Sequence, residues 1–315
     1  MSISILGAGA FGTALAISMS RDARPVTLWA RDLADMATAR ENTRRLPGFT
    51  FPESLIVTGD LTQAAQADII LLATPMQSLA GFLTDHATLL DGKTLVACCK
   101  GVDLKSGLGP AEIIRTTCPG ATPAILSGPS FAVDIAAGLP TALTLAAHDG
   151  TALQTALSTS NLRLYRSDDL VGVEIGGALK NVVAIACGIT LGAGLGESAH
   201  AALMTRGFAE MQRFALSRGA QPDTLSGLSG LGDLALTCSS EKSRNFAYGL
   251  ALGRGNNLPQ GTTVEGKATA KAVSNLAQKT GLDMPIADMV VAVLDKHLTI
   301  KEAADMLLTR PLKEE

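Results

Sequence analysis

The sequence predicts an α/β fold, a doubly wound and mostly parallel sheet followed by an all-α C-terminal domain. In the first half, short apolar runs alternate with helical segments, as in parallel strands joined by crossover helices. After about residue 169 the strand-like runs stop and helical periodicity continues almost to the end. A chain of 315 residues is long enough for two domains. We place a sheet-containing domain at 1–168 and a helical domain at 169–315.

The predicted elements follow from these patterns. Strands are expected at Ile3–Leu6, Val26–Trp29, Asp68–Ala73, Thr94–Cys98, Ala124–Ser127, Ala142–Ala146 and Leu162–Tyr165. A helix over Phe11–Ser20 joins the first two strands. Later helices are expected at Val171–Leu191, Arg206–Arg218, Thr269–Thr280, Pro285–Leu294 and Ile300–Leu308. We expect the glycine-rich stretch 226–233 to be a structured loop between helices.

Composition and charge exclude several classes of protein. The net charge is -3 and no cluster of lysine and arginine appears, so we expect no nucleic-acid partner. The N-terminus has no basic leader, and the longest uncharged stretch, 181–196, is too short to span a membrane. We therefore expect a cytoplasmic protein without membrane insertion. Its apolar helices are compatible with a homodimer.

The cysteines show no metal-binding pattern. An odd number of them, without a C-x-x-C pair or a nearby histidine at ligand spacing, fits buried thiols in a reducing compartment. They are Cys98, Cys99, Cys118, Cys187 and Cys238. No metal site is predicted.

A G-x-G-x-x-G motif follows the first predicted strand and begins the first predicted helix. Gly7 is suited to the tight turn, Gly9 to close approach of a pyrophosphate, and Gly12 to packing of the helix on the sheet. Unpaired N–H groups at the start of the helix are suited to bind phosphate. In this strand–turn–helix context the motif predicts a Rossmann-type nicotinamide dinucleotide site.

The end of the second strand bears on which nucleotide binds. Arg31 is suited to pair with a 2′-phosphate, which favours NADP, whereas Asp32 is suited to hold ribose hydroxyls, which favours NAD. We expect NADPH as the cofactor, and use of NAD as well stays open.

Lys180 is a lysine on the apolar face of a predicted buried helix. It is the only charged residue on that face, and an unpaired buried ammonium costs several kcal/mol. The sequence therefore predicts a general acid/base, since none of the four histidines has a catalytic setting. The alternative is a lysine that reaches solvent from a less buried part of the helix. The neighbouring Gly176 and Gly177 are expected to leave room for a ligand.

Further motifs add a resemblance that is more specific than the glycine motif. They are Cys99-Lys100-Gly101, Ser127-Gly128-Pro129-Ser130-Phe131-Ala132, Gly177-Ala178-Leu179-Lys180-Asn181, Gly230-Leu231-Gly232-Asp233-Leu234, Ser243-Arg244-Asn245 and Val264-Glu265-Gly266. In order and spacing, from about Ile3 to Leu308, they closely resemble the bacterial biosynthetic NAD(P)-dependent glycerol-3-phosphate dehydrogenases. The resemblance implies reduction of dihydroxyacetone phosphate to sn-glycerol 3-phosphate, a precursor of phospholipids.

The resemblance also implies residue roles. Lys180 matches the family's catalytic proton donor and acceptor. The matching substrate contacts are Lys100, Gly128, Ser130, Lys180, Asp233, Ser243, Arg244 and Asn245. The matching cofactor contacts are Phe11, Arg31, Lys100, Ala132, Arg244 and Glu265, and Ala10 stands where relatives often carry serine.

Alternatives stay open at this point. Taken singly, Asp233 and Asn245 also suit helix N-caps, and Arg244 suits a solvated surface charge. Two rival functions stay open: that of a related Rossmann β-hydroxyacid dehydrogenase and that of a non-catalytic NAD(P)-sensing protein.

Overall fold

The first half of the chain forms an eight-stranded sheet with helices on both faces. A computed structural model describes residues 1–21, 23–256 and 264–311. The strands are β1 (Ile3–Leu6), β2 (Val26–Trp29), β3 (Glu41–Asn42), β4 (Leu46–Thr50), β5 (Leu55–Thr58), β6 (Ile69–Leu72), β7 (Thr94–Ala97), β8 (Thr122–Ser127), β9 (Thr141–Ala147) and β10 (Leu162–Ser167). The large sheet has the order β10-β9-β8-β7-β6-β1-β2-β5, and β3 and β4 form a separate antiparallel pair.

The sheet is parallel except at one contact. Ile3 of β1 lies opposite Val26 of β2 on one side and opposite Ile69 of β6 on the other. Only the pair β8 and β9 runs antiparallel among the described strands of this sheet. The chain order reverses between β1 and β6, and in open α/β sheets ligands bind at the carboxyl ends of the strands at such a point.

The helices follow the same order along the chain. They are α1 (Ala10–Ser20), α2 (Met36–Ala39), α3 (Leu61–Ala64), α4 (Met76–Leu90), α5 (Pro110–Thr117), α6 (Ala132–Ala136), α7 (Thr151–Leu157), α8 (Leu170–Gly192), α9 (Glu197–Ser217), α10 (Asp233–Cys238), α11 (Arg244–Gly253), α12 (Glu265–Thr280), α13 (Pro285–Leu294) and α14 (Ile300–Leu308). A 3₁₀ turn covers Thr224–Ser226, and a π-helical turn covers Leu228–Gly232.

Two apolar layers cover the sheet, one on each face. On one face, Ile5 of β1 and Leu28 of β2 pack with Leu15 of α1. On the other face, the side chains of Leu6 and Leu72 pack with α4 and α5. Because alternate residues of a strand point to opposite faces, strands buried on both sides are apolar throughout, which explains the continuous apolar runs.

The chain divides into two compact units. The first comprises residues 1–100 and 108–174, and the second comprises 101–107 and 175–315. The first unit carries the sheet, and the described part of the second contains helices and no strand. The predicted fold class is therefore confirmed. The predicted domain limits of 1–168 and 169–315 stay a prediction.

Several predicted elements agree closely with the structure, and others are corrected. Strands β1 and β2 and helices α13 and α14 match their predicted limits residue for residue. Helix α9 begins at Glu197, before the predicted Arg206, and α10, α11 and β5 were not predicted. The glycine-rich stretch is not a loop, because its π-helical turn runs directly into α10.

Helix α8 is long and apolar enough to cross a membrane, the only described helix of which this is true. Its most apolar window is 89% buried within the protein, as in a core helix. The helix begins behind Asp169, whose Oδ1 accepts a hydrogen bond of 2.8 Å from the N–H of Gly172.

Candidate active site

The turn between β1 and α1 has the geometry of a phosphate-binding site. Gly7 has a φ of 121°, and a Cβ there would lie 2.7 Å from the carbonyl oxygen of Ala73. A Cβ on Gly12 would lie 2.1 Å from the carbonyl oxygen of Gly7, so only glycine lets α1 pass this close. A Cβ on Gly9 would meet no atom within 4 Å. The backbone at Gly9 therefore borders open space.

The start of α1 provides donors for an anion. No side chain caps this end, where Gly9 is the N-cap, and the first N–H groups of a helix have no partner inside it. The Oγ1 of Thr74, just after β6, is buried without a hydrogen-bond partner among the described residues. These features fit a bound dinucleotide, whose phosphates would receive the hydrogen bonds of the Ala10 and Phe11 N–H groups.

At the end of β2, Asp32 is already engaged by other groups. Its Oδ2 lies 2.9 Å from a guanidinium nitrogen of Arg44, and its Oδ1 accepts a hydrogen bond of 3.0 Å from Ala34 N–H. The hydrogen bond from Arg44 is the main cause that lowers the pKa of Asp32. Arg31 is exposed beside this pair. The surface at this strand end therefore presents Arg31, Arg44 and the carboxylate of Asp32, whose negative charge is compensated by Arg44.

The residues after β7 and β8 lie together in the same unit. The Nζ of Lys100 is 3.4 Å from the carbonyl oxygen of Gly128, which has a φ of 147°. The Oγ of Ser130 is buried without a hydrogen-bond partner among the described residues. Buried hydroxyls normally have a partner, so this one supports a ligand site. Ala132 is the first residue of α6.

In the second unit, Lys180 forms a buried ion pair. Its Nζ lies 2.5 Å from Oδ1 of Asp233 and donates a hydrogen bond of 2.8 Å to Oγ1 of Thr237. Lys180 is 7% exposed and Asp233 is fully buried. The lysine does not reach solvent from the helix surface, which removes the alternative of a snorkelling side chain. Instead, a carboxylate compensates the buried ammonium charge.

The helices around Lys180 leave less room than the sequence suggests. A Cβ on Gly176, one turn before Lys180, would lie 2.7 Å from the carbonyl oxygen of Ser229. The π-helical turn that precedes Asp233 therefore occupies the space beside Gly176. The expectation that Gly176 makes room for a ligand is wrong, because the glycine instead permits contact between α8 and this turn.

Ser243, Arg244 and Asn245 form the start of α11. Ser243 is the N-cap, and its Oγ accepts a hydrogen bond of 3.3 Å from the N–H of Phe246. Arg244 is exposed and Asn245 is buried. The Oδ1 of Asn245 accepts a hydrogen bond of 3.0 Å from the N–H of Gly266. Asn245 therefore caps α12, whose first residue is Glu265, rather than its own helix.

Small residues hold α11 directly against α8. A Cβ on Gly188 would lie 2.2 Å from the carbonyl oxygen of Phe246, and one on Gly192 would lie 2.3 Å from that of Leu250. From the other side, a Cβ on Gly249 would lie 2.1 Å from the carbonyl oxygen of Ile185. The two backbones touch, and this fixes the first turn of α11 relative to Lys180.

The predicted residues thus fall into two groups. The first unit carries the glycine turn with Ala10 and Phe11 and, after the neighbouring strands β7 and β8, Lys100, Gly128 and Ser130. The second unit brings Lys180 to Asp233, and Asn245 to the start of α12. Thr237 was not predicted. It lies four residues after Asp233, on the same helical face, a signal that becomes readable only once α10 is recognised as a helix.

The cysteines behave as buried apolar residues. All five are free thiols inside the protein, and burial raises the pKa of the Cys98 thiol to about 12. Within the described ranges, no group of three or more histidine, cysteine, aspartate or glutamate residues could hold a metal ion.

Comparisons with known proteins agree with this geometry. Residues 2–153 match the family model described as NAD-dependent glycerol-3-phosphate dehydrogenase N-terminus. Residues 169–305 match the model of the C-terminus of the same family. Glycerol-3-phosphate dehydrogenase [NAD(P)+] of Ruegeria sp. (strain TM1040) is 63% identical, with 100% of both chains covered. The enzyme of the same name from Cereibacter sphaeroides is 58% identical, with 99% of this chain and 100% of the relative covered.

A solved structure shows the same architecture. The crystal structure of glycerol-3-phosphate dehydrogenase from Coxiella burnetii superposes with a TM-score of 0.93 at 37% identity, covering 98% of this chain and 99% of that one. Both family models and relatives that match over the full length lead to one conclusion: the chain belongs to the NAD-dependent glycerol-3-phosphate dehydrogenase family.

Proposed function

We propose that this chain reduces dihydroxyacetone phosphate to sn-glycerol 3-phosphate and so supplies the backbone of phospholipids. The single observation that carries the proposal is the buried set of Lys180, Asp233 and Thr237. Burying a charged lysine in an apolar helix costs folding free energy, and Asp233 and Thr237 orient its ammonium group. Relatives with 58–63% identity are named for this activity.

Lys180 acts as the general acid. Its ammonium group donates hydrogen bonds to Asp233 and Thr237, and these contacts orient Nζ. When bound, the reduced nicotinamide cofactor supplies the hydride that the carbonyl carbon receives. Lys180 gives its proton to the carbonyl oxygen as that oxygen becomes an alkoxide. After each turnover Lys180 takes a proton back from water, which the negative charge of Asp233 favours, and Lys100 adds positive charge for the same oxygen.

The start of α11 holds the substrate phosphate. The planar guanidinium of Arg244 matches a phosphate dianion, and Ser243 and Asn245 add neutral hydrogen-bonding groups. Because the Oδ1 of Asn245 is used by Gly266, its Nδ2 is the part of the amide suited to a phosphate oxygen. The family resemblance assigns further substrate contacts to Gly128 and to Ser130, whose Oγ has no hydrogen-bond partner among the described residues.

NADPH is the preferred cofactor in this proposal. Gly7, Gly9 and Gly12 shape the turn for its pyrophosphate, and the N–H groups of Ala10 and Phe11 bind it. Arg31 pairs with the 2′-phosphate. Asp32 is occupied by Arg44 and so is poorly placed to hold ribose hydroxyls, but an exposed ion pair is weak enough to allow NADH as well. Ala132, Arg244 and Glu265 complete the cofactor contacts.

The decisive experiment follows the loss of NADPH or NADH absorbance with a panel of substrates. We expect turnover of dihydroxyacetone phosphate, none of unphosphorylated dihydroxyacetone, and none of small 2-keto acids. Turnover of a keto acid in place of the phosphosugar would assign the chain to the rival β-hydroxyacid dehydrogenases. Absence of turnover with every substrate would favour a sensing role instead.

Location and assembly belong to the same proposal. We place the enzyme in the cytoplasm without membrane insertion, because the apolar window of α8 is 89% buried in the protein. A homodimer is the assembly to test, and light scattering on the purified protein separates it from a monomer. Recovery of the protein in the membrane fraction would contradict the proposed location.

A further inference from the structure

The segment 239–243 links α10 and α11, two helices that carry residues of the proposed reaction. Helix α10, which ends at Cys238, carries Asp233 and Thr237, which accept hydrogen bonds from Lys180. Helix α11 begins with Arg244, directly behind its N-cap Ser243. A movement of this short segment would displace Asp233 and Thr237 on α10 together with Arg244 on α11.

His200 of α9 contacts the helices at both ends of this segment. Its Nε2 lies 3.0 Å from the carbonyl oxygen of Cys238, the last residue of α10. Its ring packs edge-on against Phe246 in the first turn of α11, with 6.3 Å between the ring centres. The side chain is only 13% exposed. One imidazole therefore joins the end of α10 to the start of α11.

The chemistry of this contact defines the hydrogen position. A carbonyl oxygen only accepts, so Nε2 must carry the proton and donate. Both the neutral Nε2–H tautomer and the imidazolium can do so, which makes the bond independent of the charge of the ring. The last carbonyls of a helix have no partner inside it, and a donor there is favourable. The carboxylate of Glu197, 3.9 Å from Nδ1, lies on the opposite edge of the ring.

We propose that His200 is a positioning residue for the proposed reaction. It donates to the end of α10 and supports the first turn of α11, and so sets the geometry of Asp233, Thr237 and Arg244 without touching the substrate. This inference rests on the proposed function, since it concerns the same reaction.

The test compares two substitutions at this position. His200→Met keeps apolar bulk against Phe246 but removes the donor, and His200→Gln keeps a side-chain N–H donor. For His200→Met we expect kcat to fall about tenfold, because Asp233 and Thr237 are displaced. KM for dihydroxyacetone phosphate should rise about tenfold, because Arg244 is displaced by the same lost hydrogen bond. His200→Gln should restore both constants to within about threefold. The matched control is His148→Met at an exposed histidine, which should change neither.

Circular-dichroism melting of each variant ensures that the assays are made on folded protein. A folded His200→Met with unchanged kcat and KM would overturn the inference, as would equal losses in the Met and Gln variants. If His200→Met does not fold, nitrogen NMR of ¹⁵N-histidine-labelled wild type decides. An Nε2–H signal from about pH 6 to about pH 9 supports the proposal, and an Nδ1–H tautomer overturns it. Wild type that does not reduce dihydroxyacetone phosphate would instead overturn the proposed function.

Discussion

Asp233 Oδ1 lies 2.5 Å from Nζ of Lys180, and the two residues sit on different helices, α10 and α8. The pair is almost completely buried, and the Thr237 hydroxyl accepts a second hydrogen bond from the same ammonium group. Breaking a buried ion pair by removing one partner leaves an uncompensated charge. The proposed chemistry and the packing of α10 on α8 therefore depend on the same contact.

Lys180→Ala should lower kcat by about 10²- to 10⁴-fold, the usual contribution of general acid catalysis. The Kd of NADPH should stay within about twofold, because the glycine turn at β1 is in the other unit and is unchanged. Lys301→Ala, at an exposed lysine of α14, is the control and should behave as wild type. Near-normal turnover in Lys180→Ala would remove Lys180 from the mechanism.

Thr237→Val removes one partner of the ammonium and keeps the shape of the side chain. We expect kcat to fall about tenfold, because the lysine loses the hydrogen bond that the Thr237 hydroxyl accepts. Combined with Lys180→Ala, the substitution should add almost nothing, since both act on one proton. Additive losses in a double-mutant cycle would show that Thr237 acts separately from Lys180.

Gly12→Ala should disrupt the dinucleotide turn. The new Cβ would lie 2.1 Å from the carbonyl oxygen of Gly7, so α1 or the turn must move, and overpacking of this kind costs about 1–3 kcal/mol. Calorimetry should show a lower Tm and a large loss of NADPH affinity. Gly81→Ala in α4 is the matched control, because its Cβ meets no atom within 4 Å. That variant should be slightly more stable than wild type, and equal behaviour of the two variants would refute the steric argument.

Arg31→Ala should weaken the preference for NADPH. The ratio of kcat/KM with NADPH to that with NADH should fall about tenfold or more, the effect of losing a charge-assisted hydrogen bond to phosphate. Arg44→Ala should shift the ratio in the same direction, because it releases Asp32 to hold ribose hydroxyls. Arg115→Ala, an exposed residue of α5, is the control. A ratio unaffected by both substitutions would place nucleotide selection elsewhere.

Glu210 should make stability depend on pH. It is buried on α9, and its carboxylate accepts hydrogen bonds from the N–H groups of Ile286 and Ala287 at the start of α13. Burial raises its pKa from 4.5 to about 7, although the two N–H groups and Arg213 act in the opposite direction. Between these two values the folded chain holds a proton that the unfolded chain has released. Stability should therefore fall as the pH rises through this window, by about 3 kcal/mol, and stay level above it.

Glu210→Gln isolates this effect, because all other titrating groups are shared with wild type. Denaturant unfolding at several pH values should show wild type losing stability relative to the variant between about pH 4.5 and about pH 7. A difference between the two proteins that does not change with pH would mean that Glu210 keeps its ordinary pKa in the folded state.

Much of the fold could be predicted, because the periodicity of apolar residues distinguishes strands from helices. The strands at Ile3–Leu6 and Val26–Trp29 are short, apolar and bounded by turns, and both were placed without error. β5, at the sheet edge, is absent from the predicted strands, although Leu55–Thr58 is a short run of residues that favour strands. α10 was missed because six residues are too few to show helical periodicity behind a run of glycines.

For the candidate site, the residue types were predictable but the contacts were not. A lone lysine among apolar residues predicted that Lys180 is special, but its partner could come from any part of the chain. Asp233 lies 53 residues away in sequence, and only the packing of α10 on α8 brings the two together. The sequence gives His200 no catalytic setting for a similar reason, since Cys238 and Phe246 belong to helices that the sequence does not reveal.

The backbone contact of α8 with α11 limits how this enzyme can be made more heat-resistant. Replacing glycine by alanine inside helices is a common route to thermostability and normally adds up to about 1 kcal/mol at each position. At Gly188, Gly192, Gly249 and Gly253 the added methyl group would instead lie within 2.5 Å of a backbone oxygen of the facing helix. Directed evolution for hotter conditions should thus leave these four glycines untouched and accumulate its changes elsewhere.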